Sequence, residues 1–216
     1  MSLAESTAIA SIDTASDPHR RQALEIAAFE ACMLVRCTGT WDRDAQRGSR
    51  KGLARIASGP LAEFSRSSAA DRLAELLQAI GRLASVHRYT AGNRHRYEIS
   101  QVFTEFGTLG LLERTWQQGY VEICGRPHGL RLPHRPRQAR HARLLSEAAW
   151  RAMLLVCGPT RANAPGLRVA DLDTATLLVR AGRTLRMPVR MTTRPGGQLL
   201  LVVPGGARSG AAGEGS

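Results

Sequence analysis

The side chains in this chain best equipped for chemistry are arginines, and the chemistry they suit is with phosphate and base edges. Near the C-terminus, Thr176, Arg180 and Arg183 recur at steps of four and three, which places them along one outward side of a helix that turns Leu178, Ala181 and Leu185 inward. A guanidinium donates bidentately to phosphate or to the O6/N7 edge of guanine, so these three are the candidate base readers. Arg186, Arg190 and Arg194 fall on the end of that helix and on the strand pair beyond it, closer to phosphates. Arg135, Arg137 and Arg140 lie upstream in a stretch, residues 126–143, that holds six arginines, three histidines, three prolines and no acidic residue. It reads as a basic linker able to lie along a sugar-phosphate backbone.

The wider charge pattern agrees. Residues 1–123 carry fifteen basic against fourteen acidic side chains, whereas residues 124–216 carry fifteen against only Glu147, Asp171, Asp173 and Glu214. Lys51 is the one lysine, so the positive field is almost wholly guanidinium. A near-neutral first half and a strongly basic second half make nucleic acid the first partner to expect.

Other chemistries find little support. Cys32, Cys37, Cys124 and His128 could together hold zinc, yet there is no C-x2-C pair and the first two cysteines fall inside a helical pattern, so buried apolar thiols are the preferred reading. No metal or cofactor is expected. There is no G-x-x-x-x-G-K-[ST] loop, no H-E-x-x-H and no G-x-S-x-G elbow, which argues against an enzyme. A degenerate tyrosine recombinase is the enzymatic alternative: residues 136–153 and Gly166-Leu167-Arg168 are similar to the start of that catalytic domain, with Arg168 as the activating arginine. Its nucleophile is missing, since Tyr89, Tyr97 and Tyr120 all precede Arg168. With 5% aromatic residues and no interleaving of aromatic and basic positions, a single-strand stacking platform is not expected either.

The elements that must position the arginines can be read from periodicity. Residues 1–16 form a mobile leader, and Asp17-Pro18 starts a core helix to about Arg36. A short helix follows around residues 53–57, then a long one with Ser68 and Asp71 at its start and Leu73, Leu76, Leu77, Ile80 and Leu83 on one face. Residues 86–90 and 95–103 read as a hairpin about Ala91-Gly92-Asn93, and Tyr120 to Cys124 as a further strand. Gly107 to Gly110 reads as a loop insertion.

After the linker, Ser146 is the expected N-cap of a helix ending at Gly158-Pro159, followed by a short helix over 168–172 and the arginine-bearing helix capped by Asp173 or Thr174. The competing reading of residues 174–186 is a β-hairpin. Residues 189–193 and 198–203 give a strand pair. Residues 205–216, rich in Gly, Ala and Ser, are expected to be disordered.

The expected class is α+β: a winged-helix module (helix-turn-helix plus hairpin wing) over 17–125, the linker over 126–143, and a shorter winged-helix module over 144–204. No apolar run reaches the length of a membrane span, and no secretory signal precedes the first helix, so a cytoplasmic protein is expected.

Residues 48–58 (GSRKGLARIAS), 97–106 (YEISQVFTEF), 119–127 (GYVEICGRP), 144–158 (LLSEAAWRAMLLVCG) and 167–177 (LRVADLDTATL) together resemble plasmid replication initiators with two winged-helix domains, in particular the RepC-like, iteron-binding initiators of IncQ-like plasmids. The resemblance covers about residues 20–180. It implies a non-enzymatic protein that binds direct repeats at an origin in double-stranded DNA, helps open the adjacent duplex, and meets a host helicase or primase. It also implies that the helix after Asp173 enters the major groove, and that the first domain serves homodimer contacts. A winged-helix transcriptional repressor or copy-control protein is the alternative from the same features, and an RNA-associated protein would explain the linker.

Overall fold

A computed structural model describes residues 17–39, 59–125, 136–158, 166–195 and 197–203. The leader, the short helix near 53–57, Arg135 with the front of the linker, and the Gly-rich tail lie outside the described residues. Helix α1 (Pro18–Cys37) begins as expected, with the Asp17 carboxylate accepting from the His19 amide and proline in the first turn. Strand β1 (Ala62–Phe64), helix α2 (Ser67–Ala79) and strands β2 (Ala84–Ala91) and β3 (Tyr97–Thr104) follow, forming an antiparallel sheet in the order β1-β3-β2. Helix α3 (Thr108–Cys124) and helix α4 (Pro136–Cys157) precede strand β4 (Leu167–Val169), helix α5 (Leu172–Thr184) and strands β5 (Arg190–Thr193) and β6 (Leu199–Val202), a second antiparallel sheet in the order β4-β6-β5. The class is mixed α+β.

Several local expectations are corrected. Tyr120 to Cys124 is the last turn and a half of α3, whose buried Leu112, Trp116 and Gly119 recur at helical spacing, rather than a strand. That helix opens at Thr108, so only Gly107, left-handed at φ 88°, remains of the expected loop insertion. Ser68 and Asp71 do not form a capping box; Arg66 is the N-cap without a side-chain bond, and Asp71 instead takes Arg88 of β2. Residues 136–143 are helical: Pro136 sits where a missing N–H costs nothing, and the basic run continues as the first turns of α4. Ser146 is consequently mid-helix and buried, donating to the Ala142 carbonyl at 2.7 Å. Residues 167–169 form strand β4 instead of a short helix, because the buried Leu167 and Val169 flank an exposed Arg168 with the period of two that a sheet demands. Residues 172–184 form a helix, not the competing hairpin.

The two halves repeat one another. Both run helix, strand, helix, strand, strand, and α5 follows α2 at a fixed distance, from Ser67 to Leu172, with thirteen residues in each. The register repeats too: Val102 lies between Ala62 and Val86 as Leu201 lies between Leu167 and Met191. Even the helix ends match. The amides of Gly81 and Arg82 bond to Gln78 and Leu77 carbonyls, and those of Arg186 and Met187 bond to Arg183 and Gly182. The pivot in each is left-handed, Gly81 at φ 76° and Arg186 at φ 60°.

That conformation costs arginine about 1–2 kcal/mol and glycine nothing. Arg186→Gly is therefore expected to raise folding stability by about 0.5–1 kcal/mol, after allowing for the extra freedom glycine gives the unfolded chain. A urea titration read as a shift in midpoint at constant slope checks this.

The halves share one core. Helices α1 and α4 run side by side in the same direction: Gln22 bonds His141 at 3.1 Å, Glu30 bonds Arg151, and the Cys37 and Cys157 thiols at their ends sense each other. The bonded pairs lie 119 and 121 positions apart, so corresponding residues of the repeat meet, as across a twofold axis. The ends reciprocate: a methyl group at Gly39 would touch Ala170 of the second half, and one at Gly158 would strike the Arg66 guanidinium of the first. Buried Phe29, Met33, Leu77, Trp116, Met153 and Leu178 belong to a single contiguous cluster.

Glu30 is the polar centre of this seam. Its side chain is 2% exposed and is held by Arg72 of α2 at 2.8 Å and by Arg151 of α4 at 2.9 Å. The hydrogen bond to Glu30 is also the main reason the Arg72 pKa is raised.

Candidate nucleic-acid interface

Helix α5 is placed by its buried side. Ala175, Leu177, Leu178 and Ala181 are fully enclosed, and the buried Trp150 indole of α4 donates to the Leu178 carbonyl at 3.1 Å. The start is fixed by Asp171, whose carboxylate accepts from the Thr174 amide and hydroxyl, both at 2.7 Å. The expected cap, Asp173 or Thr174, is thus displaced to Asp171, and the helix begins earlier than periodicity alone predicts.

With its inner face fixed, α5 turns Thr176, Arg180 and Arg183 the other way, within roughly a 60° arc at 3.6 residues per turn. Arg183 is exposed, and Thr176 and Arg180 are half-buried. The partial cover of Arg180 comes from the end of α3: burial raises Cys124 to about 11 and raises Tyr120, and the nearby Arg180 charge opposes the rise in both without cancelling it. Asp173 approaches the same corner.

Arg186 and Arg190 are exposed beyond the helix, and Arg194 opens the turn of the β5–β6 hairpin, where its amide bonds the Gln198 carbonyl at 2.9 Å. Strand alternation puts Arg190 and Arg168 on the outer side of this sheet, opposite Met191 and Leu201. Arg137 and Arg140 are exposed in the first turns of α4, with no acidic residue in its first turn. Cations at a helix N-terminus oppose the macrodipole, so they do not serve the helix itself. Arg135 lies outside the described residues.

The corresponding surface of the first half differs in sign. Helix α2 exposes Ser68, Glu75 and Gln78 and leaves Asp71 half-buried against Arg88, and its Arg72 is turned to Glu30 and Glu75. Outer-face Glu63 of β1 stands where Arg168 stands in β4. The repeat therefore presents its arginine surface from the second half.

Of the four residues weighed for zinc, Cys32 and Cys37 are buried in α1, Cys124 lies at the end of α3, and His128 is outside the described residues. Burial pushes the Cys32 thiol up to about 12 and Cys37 higher still, which keeps both protonated and unreactive at neutral pH. Among the described residues no group of three or more His, Cys, Asp or Glu side chains could hold a metal ion, and no helix is long and apolar enough to cross a membrane. No protein-family model matches the chain, and no curated protein matches it.

Proposed function

We propose that the chain is a sequence-specific double-stranded DNA-binding protein built from two winged-helix modules, acting without covalent chemistry as a replication initiator at repeated sites. The carrying observation is the outward row Thr176, Arg180 and Arg183 on a helix anchored by its opposite face, continuous with Arg186, Arg190 and Arg194 on the adjoining turn and hairpin. In this reading α5 lies in the major groove, the β5–β6 hairpin is the wing, and Arg137 and Arg140 reach the flanking backbone. Phosphate neutralisation gives affinity, the helix row gives sequence choice, and deformation of the bound duplex assists opening.

The asymmetry of the repeat leaves one reading module in each chain. A chain with two equivalent reading helices would suit an inverted pair of half-sites, but α2 carries Asp71, paired with Arg88, and exposed Glu75 where a reading helix needs cations. One reading module per chain serves one half-site per chain, in a head-to-tail array for the initiator or in the inverted pair of a dimeric repressor. The near-neutral first module is then left for homodimer, helicase or primase contacts.

A footprint of the purified protein on DNA flanking its own gene tests this. Protection recurring at direct-repeat spacing supports the initiator. A single palindromic patch points to the repressor, and protection without sequence preference removes the base-reading assignment.

A further inference from the structure

The outer face of the β1-β3-β2 sheet carries a second surface. Pairing of His87 with Gln101, Tyr89 with Ile99 and Ala91 with Tyr97 sets these residues, with Phe103, on the side opposite the buried Val102. Helix α2 packs on the inner side, where Arg88 meets Asp71. The outer side thus gathers one diagonal ring pair, His87 with Phe103, centroids 4.9 Å apart, and two further rings, Tyr89 and, against Gly92 near the hairpin tip, Tyr97. The tyrosines are 42% and 55% exposed, a large aromatic area for a surface, and the Tyr89 hydroxyl accepts from Gln101, which also donates to Glu63 at the β1 edge of this face. At the tip of the same hairpin, Arg94, His95 and Arg96 are all exposed. Exposed rings on one face of a sheet with cations at its tip match the two demands of an unpaired nucleic-acid strand, base stacking and phosphate neutralisation.

We infer that this face binds single-stranded DNA, with bases stacking on Tyr89 and Tyr97 and the backbone leaving past Arg94 and Arg96. It is separate from the arginine row of α5, in the half of the molecule whose own helix is unsuited to phosphate. The choice of DNA over RNA rests on the duplex-reading function proposed above: a protein that opens a duplex must then meet a bare strand.

The test uses the full chain, fluorescence anisotropy, a labelled oligo-dT strand, an oligo-U strand of equal length and a labelled duplex. Tyr89→Ala and Tyr97→Ala are each expected to weaken oligo-dT binding about tenfold, with Tyr97→Phe restoring most of it because the ring, not the hydroxyl, does the stacking. Duplex affinity should hold in these variants, while Arg180→Ala with Arg183→Ala should lower duplex affinity and spare oligo-dT. Thermal melting confirms that the variants fold, as expected for half-exposed side chains. Equal losses on strand and duplex, unchanged oligo-dT affinity in the double tyrosine variant, or tighter binding to oligo-U would each overturn the assignment. Loss of duplex specificity in the native protein with oligo-dT binding intact would instead remove the proposed function and leave this face standing.

Discussion

Replacing Arg72 and Arg151 together by methionine should cost about 3–5 kcal/mol of folding stability, the usual penalty for leaving a buried charge without its partners. Each guanidinium is substantially exposed, 38% and 50%, whereas the Glu30 carboxylate between them is 2% exposed. The arginines can turn to water when Glu30 is removed, but Glu30 cannot. The effect should therefore be directional: Glu30→Gln milder than the double arginine variant, and either single arginine variant milder than the sum would require, because one remaining guanidinium still satisfies the carboxylate. Urea midpoints at constant slope measure all four. A double variant within about 1 kcal/mol of the parent would show that the seam is held by apolar contact alone.

The second large effect concerns DNA. Arg180→Ala with Arg183→Ala should erase about 1–3 kcal/mol of discrimination for each guanine read, so the preferred site falls towards random duplex. Arg137→Ala with Arg140→Ala should act differently, weakening all sequences alike and reducing the slope of log affinity against log salt by about 0.9 for each phosphate left without its cation. Anisotropy titrations on a specific and a scrambled duplex, over a range of salt, separate the two. Parallel losses for both pairs on both duplexes would assign every one of these arginines to the backbone.

Much of this arrangement is legible in the chain itself. The Leu73, Leu76 and Leu77 spacing of α2, the Asp17-Pro18 start of α1 and the turn at Gly92 are local signals, and each element forms near where those signals place it, although α2 ends at Ala79 and leaves the expected face residue Leu83 exposed beyond it. The outward placement of Thr176, Arg180 and Arg183 is equally readable, since the apolar positions of α5 define its other face. Segments that depend on a distant partner are not. Leu167-Arg168-Val169 is too short for periodicity to identify, and its strand character comes from pairing with Leu199 to Leu201, over thirty residues away. The β-branched and aromatic residues at the end of α3 imitate a strand until Trp116 and Gly119 are seen against α1, where Arg36 lies 3.8 Å over the Trp116 ring and Phe29 leaves no room for a methyl at Gly119.

The aromatic face is half legible. Contrary to the expectation that rings and cations do not interleave, Arg88 separates His87 from Tyr89, and Arg94 and Arg96 precede Tyr97; the low aromatic content of the whole chain hides this, and antiparallel pairing brings the rings to one face. A repeat whose offset falls from 118 positions between the starts of α1 and α4 to 105 between those of α2 and α5 also escapes inspection by eye, because what it preserves is burial and register.

The meeting of like with like along α1 and α4 has a consequence for handling the protein. Any surface that one half offers the other is offered equally by the same half of a neighbouring molecule, so two chains can trade halves without building a new interface. Tethering protects the single chain while the local concentration of its own second half exceeds that of its neighbours. Refolding from denaturant at high protein concentration removes that advantage and favours exchanged dimers, with every buried contact native and only the connectivity changed.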